Sequence, residues 1–378
     1  MWSFAVAITN CSGLTINAFF LAILFAQEPN TMRQRMREFY YDKEDKKGEH
    51  RQEVIVTACF APLLKWILEL WKADSLALAL DATTLNERFV VLAISVIYRG
   101  SAIPVAWSII RGNQKGSWKP YWINLLNRLK SVMPSAMKVI VLADRGLYAR
   151  WLYTKIQKFG WHPFLRIQMG AKFLPKGSKK WVWLKELARK RRQIYRIEGT
   201  AFCTPKSRLK CTLLSCWESG HEAPWLILTD LAPDACEPGW YGLRAWIEQG
   251  FKCIKRGGWK WNYTRMTDPQ RAERIWLVMA VASLWTMCIG GELEASDENE
   301  ANVPLKNICT LPFEMNYSPR RLIRIQRLGR LFLLVLLVTG KSIPMPQYLI
   351  PEKWPCGPPG KPKPRGKRKK SKNKKTYP

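Results

Sequence analysis

The stretch YGLRAWIEQGFKCIK, residues 241–255, sets one tyrosine, one arginine, one glutamate and one lysine at steps of three, four and seven. On an α-helix turning about 100° per residue, Tyr241, Arg244, Glu248 and Lys255 share an arc of roughly 60°. The spacing predicts one helix face on which a single carboxylate stands among cationic groups. One reading is a solvated face with ordinary i,i+4 pairing between Arg244 and Glu248, contributing about 0.3 kcal/mol. The other is a phosphate-binding face with one metal-binding carboxylate, and it needs further carboxylates from elsewhere in the chain.

Composition narrows the partners. A length of 378 residues suits one large domain with insertions or two or three smaller ones. A hydrophobic fraction of 47% and 19 tryptophans exclude wholesale disorder. The formal charge is +32, and only ten of those charges belong to the tail KPKPRGKRKKSKNKKTYP at 361–378, so the body is basic as well. A polyanion, above all nucleic acid, is the expected partner, with an anionic membrane surface as the rival. Ten cysteines without a CxxC pair, and only His50, His162 and His221, do not match a zinc ribbon or finger. They read as reduced thiols of a cytosolic protein.

Along the chain, residues 1–26 carry no charge, but Thr9, Asn10, Ser12, Gly13, Thr15 and Asn17 interrupt the apolar run. A buried helix or irregular arm is expected there in preference to a membrane span. Charge-dense 28–53 predicts a basic helix and loop, and 61–72 a helix. Three β-rich runs follow in 75–110, with RGS as a tight turn. Next come a helix at 119–133, the strand KVIVLA, a helix in 147–160 and the strand HPFLRIQM. Three adjoining strands and then βαβ alternation fit a mixed α/β sheet with helices against it. Residues 170–235 break the rhythm with a helix-like WLKELARKRRQ and several strand-like runs, as an insertion would. DPQRAERIW opens a long buried helix with Asp268 as N-cap and Pro269 at the first helical position. Beyond Glu292 order is expected to fade. The domains drawn from this are 1–72, mainly helical and DNA-contacting; 73–169 and 236–291, the two parts of a core; 170–235, the insertion; and 292–378, an extension with a disordered basic tail.

Asp81 and Asp144 each end an apolar strand, the first and the fourth. If those strands are neighbours, both carboxylates face one edge of the sheet; otherwise each merely caps its turn. A third carboxylate from 241–255 would complete a cluster suited to two Mg²⁺ ions.

The order Asp81, Asp144, Glu248, with Y-x2-R-x3-E-x6-K around the glutamate, resembles the DDE transposases of the insertion sequence 4 family. The resemblance covers about residues 75–290 and includes the DRG after the second aspartate. It implies a ribonuclease H-like fold with a β-rich insertion domain before the last catalytic helix. Asp81, Asp144 and Glu248 would then be catalytic and bind two Mg²⁺ ions, which Mn²⁺ could replace. Tyr241, Arg244 and Lys255 would hold phosphates. Trp225, which begins a W-L-x-L-T strand as in relatives, would trap a flipped base. The implied activity is cut-and-paste transposition: cleavage at the element ends, then 3′-OH strand transfer into target DNA, with a hairpin freeing the second strand in related enzymes. Partners would be double-stranded DNA (terminal inverted repeats and target) and a second copy in the synaptic complex, with no small-molecule substrate and no membrane. The setting would be the cytoplasm of a bacterial or archaeal cell, in association with DNA. The tail at 361–378 either adds sequence-independent DNA affinity or is merely solvated. Three rivals stand beside this reading: a metal-dependent nuclease of the same fold that does not join, a lapsed DNA-binding protein, and a membrane-surface protein.

Overall fold

The computed structural model of the chain describes residues 1–49, 51–188, 193–217, 223–298 and 323–355, with the side chains of 296–298 outside that set. The apolar start folds into α1 (Trp2–Thr9) and α2 (Leu14–Phe25), which meet at 104°. The polar residues that interrupt the run make this corner. Asn17 is buried and donates to the carbonyls of Cys11 and Gly13, while Thr9 donates to the Asn17 side chain. After α3 (Pro29–Tyr40), the charge-dense segment is tied to the core by ion pairs. The buried Arg274 guanidinium meets Asp42 at 2.7 Å and Glu53 at 3.2 Å, and Arg271 meets Asp42 and Asp45. Helix α4 (Val56–Leu70) completes the helical N-terminal region.

The β-rich runs become β1 (Ser75–Leu85), β2 (Phe89–Tyr98) and β3 (Ser101–Arg111), antiparallel neighbours in that order. Arg99 and Gly100 close the β2–β3 turn with φ of 40° and 76°, the primed geometry that matches strand twist. Every residue of β2 is buried, so both faces of the sheet are covered here. Helix α5 (Lys119–Lys130) crosses over to β4 (Lys138–Ala143), parallel to β1, and α6 (Arg150–Lys158) to β5 (His162–Arg166), parallel to β4. Parallel neighbours need crossovers of this kind. The expected mixed α/β architecture is therefore present.

Residues 170–235 contribute β6 (Lys172–Pro175), β7 (Val182–Trp183), β8 (Ile194–Ala201), β9 (Leu209–Cys216) and β10 (Trp225–Thr229). These continue the same sheet beyond β5, giving the order β3-β2-β1-β4-β5-β10-β9-β8-β6-β7. The expected helix WLKELARKRRQ is only a 3-10 turn at Leu184–Glu186 within the described residues, and 189–192 lie outside them. A short helix, α7 (Ala245–Lys252), follows and packs on β3, where Gly250 makes room. A Cβ there would sit 2.9 Å from the Ala102 carbonyl oxygen.

Helix α8 (Pro269–Glu298) starts as the sequence predicts, with the Asp268 carboxylate accepting the Arg271 amide at 2.8 Å. By length and apolar content it could cross a membrane, yet 83% of its apolar window is buried inside the protein. It is the central helix of the core.

The expectation that order fades after Glu292 is wrong for 323–355. Helix α9 (Ile325–Val338) buries Phe332, Leu333 and Leu336, and Leu349 bridges to Trp71. Its IQRLGRLFLLVLLV sequence has one apolar face with a glycine in it, and that glycine allows backbone-close packing on α8. Tail residues 361–378 lie outside the described residues. At Gly329 a Cβ would fall 1.8 Å from the Thr286 carbonyl oxygen. Gly329→Ala should therefore cost about 2–3 kcal/mol in urea unfolding, the scale of overpacking. Unchanged stability would mean that α9 does not pack there.

Candidate active site

β1 and β4 pair in the register Leu80↔Ala143, so the next residue of each, Asp81 and Asp144, stands at the same edge. Each aspartate divides its oxygens between two tasks. Asp81 Oδ1 accepts the Ala82 amide at 2.9 Å, and Asp144 Oδ1 accepts the amides of Gly146 and Leu147 at 2.9 and 3.2 Å. Turn capping, the plain reading of these residues, holds for Asp144 alone: Asp81 does not end its strand, because β1 runs on to Leu85 in its pairing with β2. The backbone contacts fix both carboxyl planes and leave both Oδ2 atoms facing a common point.

Arg244 occupies that point. Its Nη2 lies 2.9 Å from Asp81 Oδ2 and 3.6 Å from Asp144 Oδ2, and its Nη1 lies 3.2 Å from Glu248 Oε1. One guanidinium therefore gathers three carboxylates from β1, the end of β4 and α7. Its side chain is 16% exposed, and its Nε–H is buried with no acceptor. Burial works against the Arg244 charge, but Asp81, Tyr241, Asp144 and Glu248 outweigh it and raise its pKa. Burial likewise pushes the Asp81 pKa up; Arg244 opposes the rise, and Asp144 and Glu248 add to it.

The stretch 241–255 is not one uniform α-helix. Residues Pro238–Arg244 form a 3-10 helix, α7 carries Glu248, and Cys253–Gly257 widen into a π turn. The single arc expected for all four side chains is therefore broken. Tyr241 and Arg244 are eclipsed in the 3-10 segment, but Tyr241 points inward. It is 4% exposed and packs edge-on against Trp225 with ring centroids 5.3 Å apart. Its hydroxyl is hydrogen-bonded to the Arg166 side chain, and burial first of all pushes its pKa up to about 12. Lys255, carried by the π turn, donates to Thr83 Oγ1 at 2.8 Å. Thr83 lies two residues beyond Asp81, on the same face of β1.

Asp81, Ala82, Thr83, Glu248, Phe251, Lys252, Lys255 and Arg256 line an open cleft of about 410 Å³. Four residues here escaped the sequence reading: Thr83, Arg166, Lys252 and Arg256. A lone arginine in the apolar strand HPFLR was the only signal for Arg166, and the basic density after Glu248 for the last two. Trp225 is half-buried at the start of β10 and packs edge-on against Tyr241. His162 pairs with Asp230 at 3.1 Å away from this cluster, and His50 and His221 lie outside the described residues. The described cysteines form no disulfide.

The donor set, three carboxylates with oxygens aimed at one centre, has the chemistry of a divalent-cation site. A guanidinium sits among the three carboxylates in this structure. Among the described residues no three His, Cys, Asp or Glu side chains stand close enough to ligate a metal as they are.

The raised Asp81 pKa has a consequence for stability. A group whose folded pKa lies above its unfolded value stabilises fully below the unfolded pKa and loses that contribution as pH rises through the folded one. Asp81→Asn should therefore melt higher than the parent at pH 7, with the gap closing toward pH 4. A lower melting temperature at pH 7 would show that the pairing with Arg244 outweighs burial.

Residues 74–285, more than half of the chain, match the family described as the transposase DDE domain. A search of curated proteins found no match. The matched span begins one residue before β1, ends within α8, and encloses the three carboxylates together with Arg244. The chain belongs to the transposase DDE domain family, whose members are enzymes that act on DNA.

Proposed function

We propose that this transposase moves its element by cut-and-paste, with Asp81, Asp144 and Glu248 as catalytic ligands of divalent metal, and that it is of the insertion sequence 4 type. The observation that carries the reading is the gathering of three carboxylates from β1, β4 and α7 around Arg244. Hard oxygen donors on an open cleft suit Mg²⁺, with Mn²⁺ as a substitute. Two such ions, once bound, would stabilise the negative charge that develops on the attacking and leaving oxygens. The sheet order β3-β2-β1-β4-β5, antiparallel and then parallel, supports a ribonuclease H-like core. We read 170–235 as that core's insertion, 1–72 as a DNA-contacting region, and 292–378 as an extension that in part packs on the core.

The chain's own residues divide the remaining work. Arg244, Lys252, Lys255 and Arg256 line or adjoin the cleft and neutralise phosphates that the carboxylates would otherwise repel. Tyr241, held in the interior, steadies Arg166 and the 3-10 turn that presents Arg244. Trp225 receives an extruded base if its packing on Tyr241 opens. In the first step water attacks the phosphorus at the element end, the P–O3′ bond breaks, and the leaving oxygen takes up a proton as a 3′-OH. In the second, that hydroxyl attacks a target phosphodiester, joins to its phosphorus and displaces a target 3′-oxygen. Neither step needs a covalent enzyme intermediate; positioning and charge stabilisation suffice. A dimer would hold the two inverted repeats together.

A cleavage and joining assay tests this reading. Purified protein meets DNA carrying both flanks of its gene, with Mg²⁺ and a target plasmid. Nicks with 3′-OH ends and joined products are expected. Both should fall about 100-fold or more in Glu248→Gln, the scale on which one transition-state-stabilising group matters. Cutting without joining would favour the nuclease reading.

A further inference from the structure

We propose that Arg244 is the resident counter-cation of the carboxylate cluster in the DNA-free protein, and that metal binds well only after a DNA phosphate has drawn Arg244 away. The inference rests on reading Asp81, Asp144 and Glu248 as metal ligands. The oxygens that Arg244 contacts, Oδ2 of both aspartates and Oε1 of Glu248, are the ones aimed at the centre. Both Oδ1 atoms are already engaged by backbone amides. A divalent ion drawing on the same oxygens would lie against the guanidinium, so like charges would compete for one place. With Arg244 among them, no three carboxylates of the described residues stand close enough together to ligate a metal.

Arg244 is a poised occupant because it is incompletely satisfied. Its Nε–H is buried without an acceptor, which leaves part of its fork unpaired. A phosphate offers paired oxygens that match that fork. The surroundings favour the exchange, since Lys252, Lys255 and Arg256 line the adjoining cleft and would draw a phosphate to within reach of the guanidinium. Transfer of Arg244 from carboxylate to phosphate would leave three carboxylates short of positive charge at the moment the substrate arrives. Metal loading then becomes conditional on DNA. The coupling must be reciprocal: whatever factor DNA adds to metal affinity, metal adds to DNA affinity.

The test is titration of the full-length protein with Mn²⁺, following free Mn²⁺ by electron paramagnetic resonance. It is run with and without a 30-base-pair duplex, and Mn²⁺ taken up by the duplex alone is subtracted. In the absence of DNA, Arg244→Gln should bind Mn²⁺ at least tenfold more tightly than wild type, and adding Glu248→Gln should abolish the gain. DNA should tighten wild-type Mn²⁺ binding about tenfold and leave Arg244→Gln nearly unchanged. Lys255→Gln removes a nearby cation that contacts none of the three carboxylates, and it should shift affinity far less than Arg244→Gln. An equal shift would reduce the effect to general charge and overturn the proposal. Tight wild-type binding without DNA, equal to that of Arg244→Gln, would overturn it as well. Should Arg244→Gln fail to fold, the wild-type comparison with and without DNA still decides, since a DNA-independent affinity contradicts the coupling. Absence of Mn²⁺ binding in every condition would sink the metal-ligand reading itself.

Discussion

The parallel pairing of β1 with β4, in the register that sets Leu80 beside Ala143, brings Asp81 and Asp144 to one edge of the sheet from positions 63 residues apart in sequence. A one-residue slip would turn one of them to the opposite face. The register is held because both strands are apolar and buried, so a slip would cost core packing as well as the site. Helix α7 meets this edge at a height set by Gly250 on Ala102, and from there Glu248 reaches the same guanidinium. The site is thus a product of packing. Three carboxylates brought this close in a partly buried place would repel one another without Arg244.

The strands and most helices were legible in the sequence because their signals are local. Period-two and continuous apolar runs gave β1 to β5, and Asp268-Pro269 marked the start of α8. Asp81 and Asp144 stood out as carboxylates closing apolar runs, although β1 itself continues past Asp81 to Leu85, and Glu248 stood out by its spacing from Arg244 and Lys255. Their meeting depended on tertiary pairing that no local rule supplies. The helical arc failed because Pro238 and Gly239 favour a tighter turn before α7, and because a π turn follows it. Counting at 100° per residue cannot anticipate either change of pitch. Helix α9 was missed for a similar reason. Its apolar face looks like the end of an ordered chain until Gly290 and Gly329 allow it against α8.

Arg244 shows how one residue type carries two readings at once. In sequence it looks like a phosphate contact, and in the folded protein its partners are carboxylates. Both fit a chain of strong positive charge that keeps an anionic centre within the basic cleft we propose for DNA. The basic surround lets such a centre approach a polyanion, and the guanidinium keeps the centre intact before it does. Burial makes the exchange possible, since a fully solvated pair would be worth too little to matter.

The most direct test of the account is a crystal structure of the protein with DNA and Mn²⁺, read through the anomalous signal of the metal. The account predicts manganese bounded by Asp81, Asp144 and Glu248, with the Arg244 guanidinium turned onto a phosphate. Manganese held elsewhere, or Arg244 still seated on Asp81 beside bound DNA, would contradict it.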